Sequence, residues 1–237
     1  MSWRTDEPLA PRARWRVGGP AARFAEVRTL DELRRRLAEA GDAPVWVLGG
    51  GANLLIADEG VQDPVVALKG EFERIEMGDG WLRVGGGASI AAAVQTARRH
   101  ARRGLAILEA VPGTMGGAFR MNAGTPEEGI WDRVHWVELV WPDGSVERIG
   151  PADARPSYRA VAVDERAIFV AGELHAPAGD PEEIGREHRE RRREKVEAQV
   201  YDLPTCGSTW KNPPGTSAWE CIDRVGLRGA RQGDAQI

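Results

Sequence analysis

The spacing of apolar residues predicts the elements of the first segment, which runs to about Gly70. In TLDELRRRLAEAG, leucines three and four positions apart share one helical face, and Thr29 with Glu32 forms a capping-box pattern. Gly41 is a natural end for this helix. The stretch APVWVLGGGANLLIADEG at 43–60 then predicts a buried strand, a tight glycine turn and a second strand.

From about 70 to 178, apolar and polar positions alternate in the way that strands do. The strands are predicted within WLRVGGG at 81–87, VHWVELVWPDGSVERIG at 134–150 and RAIFVAGELHA at 166–176. The PDG sequence at 142–144 predicts a hairpin turn. Between these strands, SIAAAVQTARRHARRG predicts a helix that Ser89 caps.

Residues 180–199 predict a strongly charged helix with proline in its first turn. Its REHRERRREK sequence interleaves acids with bases, which favours a solvated connecting helix over a nucleic-acid patch. His188 on this helix is expected to face solvent. The segment from Tyr201 to Ile237 is too short to be a domain alone.

Composition narrows the class of protein. A hydrophobic fraction of 42% in 237 residues can fill a core, and no apolar run is long enough to cross a bilayer. The N-terminus has no apolar signal core, and the net charge of −4 favours neither nucleic acid nor an anionic membrane as partner. We expect a cytoplasmic protein in which Cys206 and Cys221 are reduced thiols. The four histidines lack the spacing of metal ligands, so no metal site is predicted.

Two turns with bare backbone are the first candidate ligand-binding elements: GGGAN at 49–53 and PGTMGG at 112–117. Glycine permits close approach of backbone N–H groups to a diphosphate. Neither turn is a Walker loop or a dinucleotide fingerprint, and either one alone is more often a hairpin turn. Together they favour one elongated ligand.

The third candidate is TCGSTWKNPPG at 205–215. Ser, Asn, Pro and Gly are also what ordinary turns contain. No nucleophile elbow is present, which argues against a hydrolase. The hydroxyl of Ser208 beside Lys211 and Asn212 can alternatively bind an anionic substrate or deliver a proton.

Six motifs in order resemble the bacterial UDP-N-acetylenolpyruvoylglucosamine reductase family, in its compact type without a long substrate-covering insertion. They are LAPRARWRVGGPAARF, VLGGGANLLIADEGV, LEAVPGTMGGAFRMNAG, SYR at 157–159, CGSTWKNPPG and CIDRVGLRGARQGDAQI. The resemblance implies an α+β fold of the vanillyl-alcohol-oxidase/p-cresol-methylhydroxylase type. It predicts FAD-binding subdomains at 1–70 and 71–178, and a connecting helix with an incomplete α+β substrate-binding domain at 179–237.

The resemblance also implies the chemistry. Tightly bound FAD, reduced by NADPH, would reduce UDP-N-acetylglucosamine enolpyruvate to UDP-N-acetylmuramate for peptidoglycan, in a protein that we expect to be a monomer. Ser208 matches the proton donor and Arg159 the residue that stabilises developing charge, while Tyr158, Lys211 and Asn212 match substrate-binding positions. The residues that match the FAD site are Leu48, Gly49, Gly50, Gly51, Ala52, Asn53, Leu54, Pro112, Gly113, Thr114, Gly116, Gly117, Asn122, Ala123 and Gly124.

Departures from the family pattern leave alternatives open. Ala52 stands where serine is common, and the family continues beyond GDAQI to a catalytic glutamate, so we expect a C-terminally truncated chain. A flavin-binding fragment with impaired catalysis is therefore one alternative. A flavin oxidase of the same fold is another, although an oxidase needs no proton donor at an alkene carbon.

Overall fold

The chain folds into two units, Met1–Cys206 and Gly207–Ile237. The computed structural model describes residues 2–125, 127–200, 203–205 and 207–237. Two β-sheets form the framework of the larger unit. The domain boundaries expected after residues 70 and 178 stay predictions.

The first sheet has the strand order β1-β2-β4-β3. Strands β2, β3 and β4 run parallel, so their carboxyl ends meet at one edge, and β1 pairs antiparallel with β2. The strands are β1 (Arg4–Pro8), β2 (Pro20–Val27), β3 (Trp46–Val47) and β4 (Val61–Leu68).

The predicted first helix is confirmed as α1 (Leu30–Ala40). The side chain of Thr29 accepts a hydrogen bond from the N–H of Glu32 at 3.2 Å. The carboxylate of Glu32 reaches back to the N–H of Arg28 at 2.7 Å, one residue before the capping-box position. Gly41 ends the helix at φ 62°, a conformation that glycine adopts without strain.

The predicted strand pair around the first glycine turn is wrong. Strand β3 has only two residues and both are exposed, and no strand follows until β4 begins at Val61. Residues 54–57 instead form an irregular segment, in which the side chain of Leu55 is 75% exposed. Its end is fixed by hydrogen bonds from the N–H groups of Gly19 and Gly60 to the carbonyl of Ala57.

The second sheet is antiparallel, with the order β5-β6-β9-β7-β8. The predicted hairpin turn is confirmed, since Trp141 and Ser145 are hydrogen-bonded across it and Gly144 has φ 78°. The strands are β5 (Ile75–Met77), β6 (Trp81–Gly85), β7 (Val134–Val140), β8 (Val146–Ile149) and β9 (Ile168–His175). The helices that follow β6 and β8 are α2 (Ile90–Arg99), α3 (Met115–Met121) and α4 (Pro151–Ala154).

The two sheets share buried apolar contacts. One core cluster joins Leu33 of α1 and Val66 of β4 to Val140 and Ile168 of the second sheet. A larger cluster packs α2 and α3 against the second sheet. This cluster opposes separation of the two sheets, because each fully buried aliphatic side chain contributes roughly 1.5–3 kcal/mol to the stability of the fold.

The charged helix is confirmed as α5 (Pro181–Ala198), whose first N–H groups are capped by Asp180. The prediction that His188 faces solvent is wrong, because its side chain is 1% exposed. Its Nδ1 lies 2.8 Å from the Oε1 of Glu109, which is also buried. Helix α5 packs on α2 and on the turn at Ala106–Leu108, so Ile184 and His188, one helical turn apart, face the protein.

The smaller unit contains α6 (Ala218–Arg224), β10 (Arg231–Gln232) and β11 (Ala235–Gln236). Ser217 and Glu220 form a capping box at the start of α6. Cys221 carries a free thiol, and Cys206 lies outside the described residues. Across the described ranges, no helix combines the length and apolar character needed to cross a membrane.

The buried contact between His188 and Glu109 predicts a measurable coupling. His188→Leu should lower the free energy of unfolding by about 2–3 kcal/mol, because the Glu109 carboxylate stays buried and loses its hydrogen bond at 2.8 Å, keeping only the weaker ion pair with Arg192 at 3.9 Å. Urea unfolding measures the loss, and Glu190→Gln on the exposed face of the same helix should stay within about 0.5 kcal/mol of the parent protein. The double variant Glu109→Leu/His188→Leu should recover part of the loss, since no unpaired carboxylate remains. Losses that simply add in the double variant would contradict the coupling.

Candidate functional site

A cavity of about 470 Å³ lies where the two sheets approach each other. It opens beyond the carboxyl ends of the parallel strands β3 and β4, which is where open sheets of parallel strands bind ligands. The start of α3, the glycines after β6 and the beginning of β9 complete its wall. Its lining includes residues 46–49, 67–69, 86–87, 114, 116–117, 120 and 167–169.

The two glycine turns meet at this cavity. A Cβ on Gly50 would lie 2.7 Å from the Cα of Gly113, and a Cβ on Gly49 would lie 2.5 Å from the Oγ1 of Thr114. Any side chain at position 50 would therefore push the backbone of the second turn away. The bare backbone that the sequence shows at both turns is what allows this contact.

The first turn presents backbone donors. The N–H of Leu48 still belongs to the sheet and donates to the carbonyl of Val66 at 2.8 Å. The N–H groups of Gly49 and Gly50 have no hydrogen-bond partner in the described part of the chain, and both residues are exposed. Successive unpaired N–H groups form a site for an anion such as a diphosphate.

The second turn works differently from the prediction. Thr114 leads directly into α3, so the PGTMGG stretch is a turn that opens a short helix. The N–H of Met115 donates to Ala88 and that of Gly116 to Gly86, so the protein uses both donors. Gly117 lines the cavity, and an added Cβ there would meet only Thr114, at 3.7 Å. The N–H groups of Gly113, Thr114 and Gly117 have no hydrogen-bond partner among the described residues, so the second turn both shapes the cavity and leaves donors unpaired.

A third glycine run was missed by sequence reasoning. Gly86 and Gly87 follow β6 and line the cavity. A Cβ on Gly86 would lie 2.1 Å from the carbonyl oxygen of Phe169, so β6 and β9 require glycine there to stay close. The signal was present in WLRVGGG, since it has the same pattern of glycines after a strand as the first turn.

Arg120 was also missed. Its guanidinium lines the cavity, lies 4.7 Å from the ring centroid of Phe169 and donates to the carbonyls of Val163, Asp164, Glu165 and Ala167. Burial lowers the pKa of the guanidinium from its ordinary value, and the nearby carboxylates of Asp164 and Glu165 oppose that shift. Arg120 fixes the segment after Arg159 to the cavity wall. No sequence motif marks this role, because the carbonyls come from a distant segment.

The structure brings the predicted catalytic residue Arg159 to the first glycine turn. The Nη2 of Arg159 donates to the Oδ1 of Asn53 at 3.3 Å. Arg159 has φ 55°, a left-handed conformation that costs an ordinary residue about 1–2 kcal/mol. It lies in a turn closed by hydrogen bonds between Ser157 and Ala160, and its neighbour Tyr158 is half-buried.

Asn122, Ala123 and Gly124 are not among the residues that line the cavity. Both ends of the Asn122 carboxamide contact the protein. Its Oδ1 accepts from the N–H of Trp131 at 3.2 Å, and its Nδ2 donates to the carbonyl of Ser157 at 3.0 Å. The expected role of these residues in holding FAD stays a prediction without support from this geometry.

In the smaller unit, Ser208, Lys211 and Asn212 are exposed. The Oδ1 of Asn212 accepts from the N–H of Ala218 at 3.0 Å, at the start of α6. Asn212 thus orders its own loop, as the ordinary turn interpretation predicts, and keeps its amide NH₂ for other contacts.

A second cavity, of about 340 Å³, adjoins the first glycine turn. Arg12, Arg14 and Arg16 line it together with Gly50. Arg12 is paired with Glu7 at 2.6 Å, and Arg14 Nε donates to the carbonyl of Thr205 at 3.1 Å. Glu7 and Glu26 balance the charge of Arg12, whereas Arg14 and Arg16 have no ion pair among the described residues and make the surroundings of Gly50 favourable for an anionic ligand group.

Comparison with known proteins agrees with these observations. Residues 21–150 match the FAD binding domain family, and residues 199–237 match the C-terminal domain of UDP-N-acetylenolpyruvoylglucosamine reductase. UDP-N-acetylenolpyruvoylglucosamine reductase 2 of Symbiobacterium thermophilum is 39% identical over 99% of this chain and 77% of its own length. The corresponding protein of Anaeromyxobacter sp. strain K is 42% identical over 97% of this chain and 70% of its own.

Solved structures show the same relationship. The UDP-N-acetylenolpyruvylglucosamine reductase of Thermus caldophilus superposes with a TM-score of 0.89 at 37% identity, covering 99% of this chain and 85% of its own. A vanillyl-alcohol-oxidase-type flavoprotein of Myceliophthora thermophila, at 14% identity and a TM-score of 0.53 over 67% of this chain and 32% of its own, shares the fold alone. The predicted α+β fold class is confirmed. The chain belongs to the UDP-N-acetylenolpyruvoylglucosamine reductase family of FAD-dependent oxidoreductases.

Proposed function

We propose that this chain reduces UDP-N-acetylglucosamine enolpyruvate to UDP-N-acetylmuramate, with FAD as cofactor and NADPH as hydride donor. The reaction would serve peptidoglycan precursor synthesis in the bacterial cytoplasm, in a monomer without a nucleic-acid or membrane partner. The observation that supports the proposal most is the hydrogen bond between Arg159 and Asn53. It joins the expected charge-stabilising residue to the turn expected to hold the cofactor, in a chain of this family.

The residues around the cavity fit FAD. The N–H groups of Gly49 and Gly50, unpaired among the described residues and with Arg14 and Arg16 near Gly50, suit its diphosphate. Gly117 leaves space along the wall that a side chain would fill. When bound, FAD supplies the hydride that is added to the substrate.

Arg159 would stabilise the charge that develops on the substrate. The substrate is an enol ether conjugated to a carboxylate, so hydride addition at its terminal methylene places negative charge on the α-carbon and the carboxylate. A guanidinium is planar, forked and permanently charged, and therefore suits a carboxylate better than an ammonium does. Arg159 is half-buried, and its guanidinium has one donor on Asn53 and no other hydrogen bond among the described residues.

Ser208 would complete the reduction by donating the proton that the α-carbon needs. Ser208 is exposed, and it follows Gly207, whose backbone bends sharply at φ 69°. The substrate would be held by Lys211, by the phenol of Tyr158 and by the amide NH₂ of Asn212, which has no partner among the described residues. The lysine is suited to the substrate's phosphates. One hydride and one proton together account for the two hydrogen atoms that the double bond gains.

Arg159→Ala should slow substrate-driven reoxidation of the reduced flavin by about a hundred- to a thousandfold, because an oriented charge stabiliser is lost. Stopped-flow absorbance after anaerobic NADPH reduction measures this step, and FAD affinity should be unchanged. The matched control is Arg155→Ala, since Arg155 is an exposed arginine that also has a left-handed backbone, at φ 40°. Normal reoxidation in Arg159→Ala would refute the proposed role.

Reduction by NADPH without reoxidation in the parent protein would instead identify a flavin-binding chain with impaired catalysis.

Gly50→Ala should weaken FAD binding at least about tenfold, because the new methyl group forces the two turns apart and the N–H donors with them. Titration of the flavin-free protein with FAD, followed by flavin fluorescence, measures the change. Gly150→Ala is the control, since its Cβ would have only an ordinary contact with His135 at 3.7 Å. Equal FAD affinity in the two variants would rule out the first turn as the holder of the cofactor.

A further inference from the structure

Asn122 occupies an unusual position at the end of α3. Its backbone is left-handed, with φ 42°, a conformation that asparagine tolerates better than most residues. In this conformation its carboxamide reaches two other segments, the N–H of Trp131 and the carbonyl of Ser157. A single side chain thus ties three parts of the larger unit together.

The space for this carboxamide is built by glycine. A Cβ on Gly129 would lie 2.0 Å from the Oδ1 of Asn122. Gly129 has φ −116°, which any residue can adopt, so the backbone does not require glycine there. Glycine is required at position 129 because the Asn122 side chain occupies the place of a Cβ. This close approach is an observation independent of the hydrogen bonds of Asn122.

The carbonyl of Ser157 is the base of the turn that carries Arg159. It accepts from the N–H of Ala160 at 3.1 Å and from Asn122 at 3.0 Å, so both of its lone pairs are used. The strained left-handed backbone of Arg159 persists only where its surroundings hold it. Asn122 supplies that support at the base of the turn.

The contacts form a closed ring. From the base of the turn the chain leads to Arg159, whose guanidinium contacts Asn53 at 3.3 Å. The Nδ2 of Asn53 in turn lies 3.8 Å from the sulfur of Met121, the residue that precedes Asn122. The first glycine turn, the end of α3 and the Arg159 turn are therefore fixed to one another.

We propose that Asn122 is a positioning residue for the reduction: it holds the turn 157–160 so that the Arg159 guanidinium stays at the first glycine turn. Asn122 acts through the Ser157 carbonyl and does not bind the cofactor. This inference rests on the proposed function in one respect, that Arg159 acts on the substrate.

Asn122→Asp is the sharpest variant. It keeps the size of the side chain, the tolerance of left-handed backbone and the acceptor for Trp131, but it places a carboxylate oxygen against the Ser157 carbonyl. Flavin reoxidation by substrate should slow about tenfold, the effect of losing one hydrogen bond, while the dissociation constant for FAD changes less than about twofold. In an Arg159→Ala background, Asn122→Asp should have no further effect on the rate. A rate loss that persists in that background, or a parallel loss of FAD affinity, would overturn the proposal.

Hydrogen–deuterium exchange of the flavin-free protein tests the same link without catalysis. The Ala160 amide should exchange faster in Asn122→Asp, and also in Gly129→Ala, where the new Cβ displaces the carboxamide. Gly150→Ala should exchange like the parent protein. Unchanged exchange in both test variants would overturn the positioning role, whatever the rates of flavin reoxidation are.

If Arg159→Ala itself leaves turnover normal, the role of Arg159 fails, and the exchange result still decides whether Asn122 holds the turn.

Discussion

The contact between two stretches of bare backbone is the constraint on which the site depends. Gly50 lies against Gly113 so closely that a single methyl group would separate them. This contact joins the turn that follows strand β3 of the first sheet to the turn that precedes α3, a helix packed on the second sheet. The cavity of about 470 Å³ opens beside this contact, where the two sheets approach each other.

The two glycine turns differ in what their backbones present to the cavity. The first leaves its N–H groups unpaired within the described residues and stands among arginines, so it suits a negatively charged group. In the second turn, the N–H groups of Met115 and Gly116 donate to Ala88 and Gly86, and Gly117 contributes a surface without a side chain. Glycine thus has two physical roles in one site, exposure of donors and close packing of backbone.

Hydrogen bonds from polar side chains hold the loops around this backbone contact. Arg120 holds the segment after the Arg159 turn through carbonyl oxygens, and Asn122 holds the base of that turn. His188 and Glu109 join α5 to the segment just before the second glycine turn. Each contact spans at least nine residues in sequence. The contact between His188 and Glu109 is buried and that between Asn122 and Trp131 is partly buried, and a hydrogen bond shielded from water is stronger and its loss more costly.

The sequence alone determined the helices α1, α2 and α5 and the central hairpin, because caps, hydrophobic periodicity and turn residues act over a few neighbouring positions. The fold class and the family followed instead from the six motifs that resemble the reductase family. The sequence also marked the two glycine turns as parts of one site. Only the tertiary structure decided that Gly116 donates to the protein, that His188 is buried, and that Arg120 and Asn122 contact the segments on either side of Arg159. The physical reason is that a side chain's partner is chosen by the packing of distant segments. Local pattern can show that a residue is polar, but it cannot show what that residue will face.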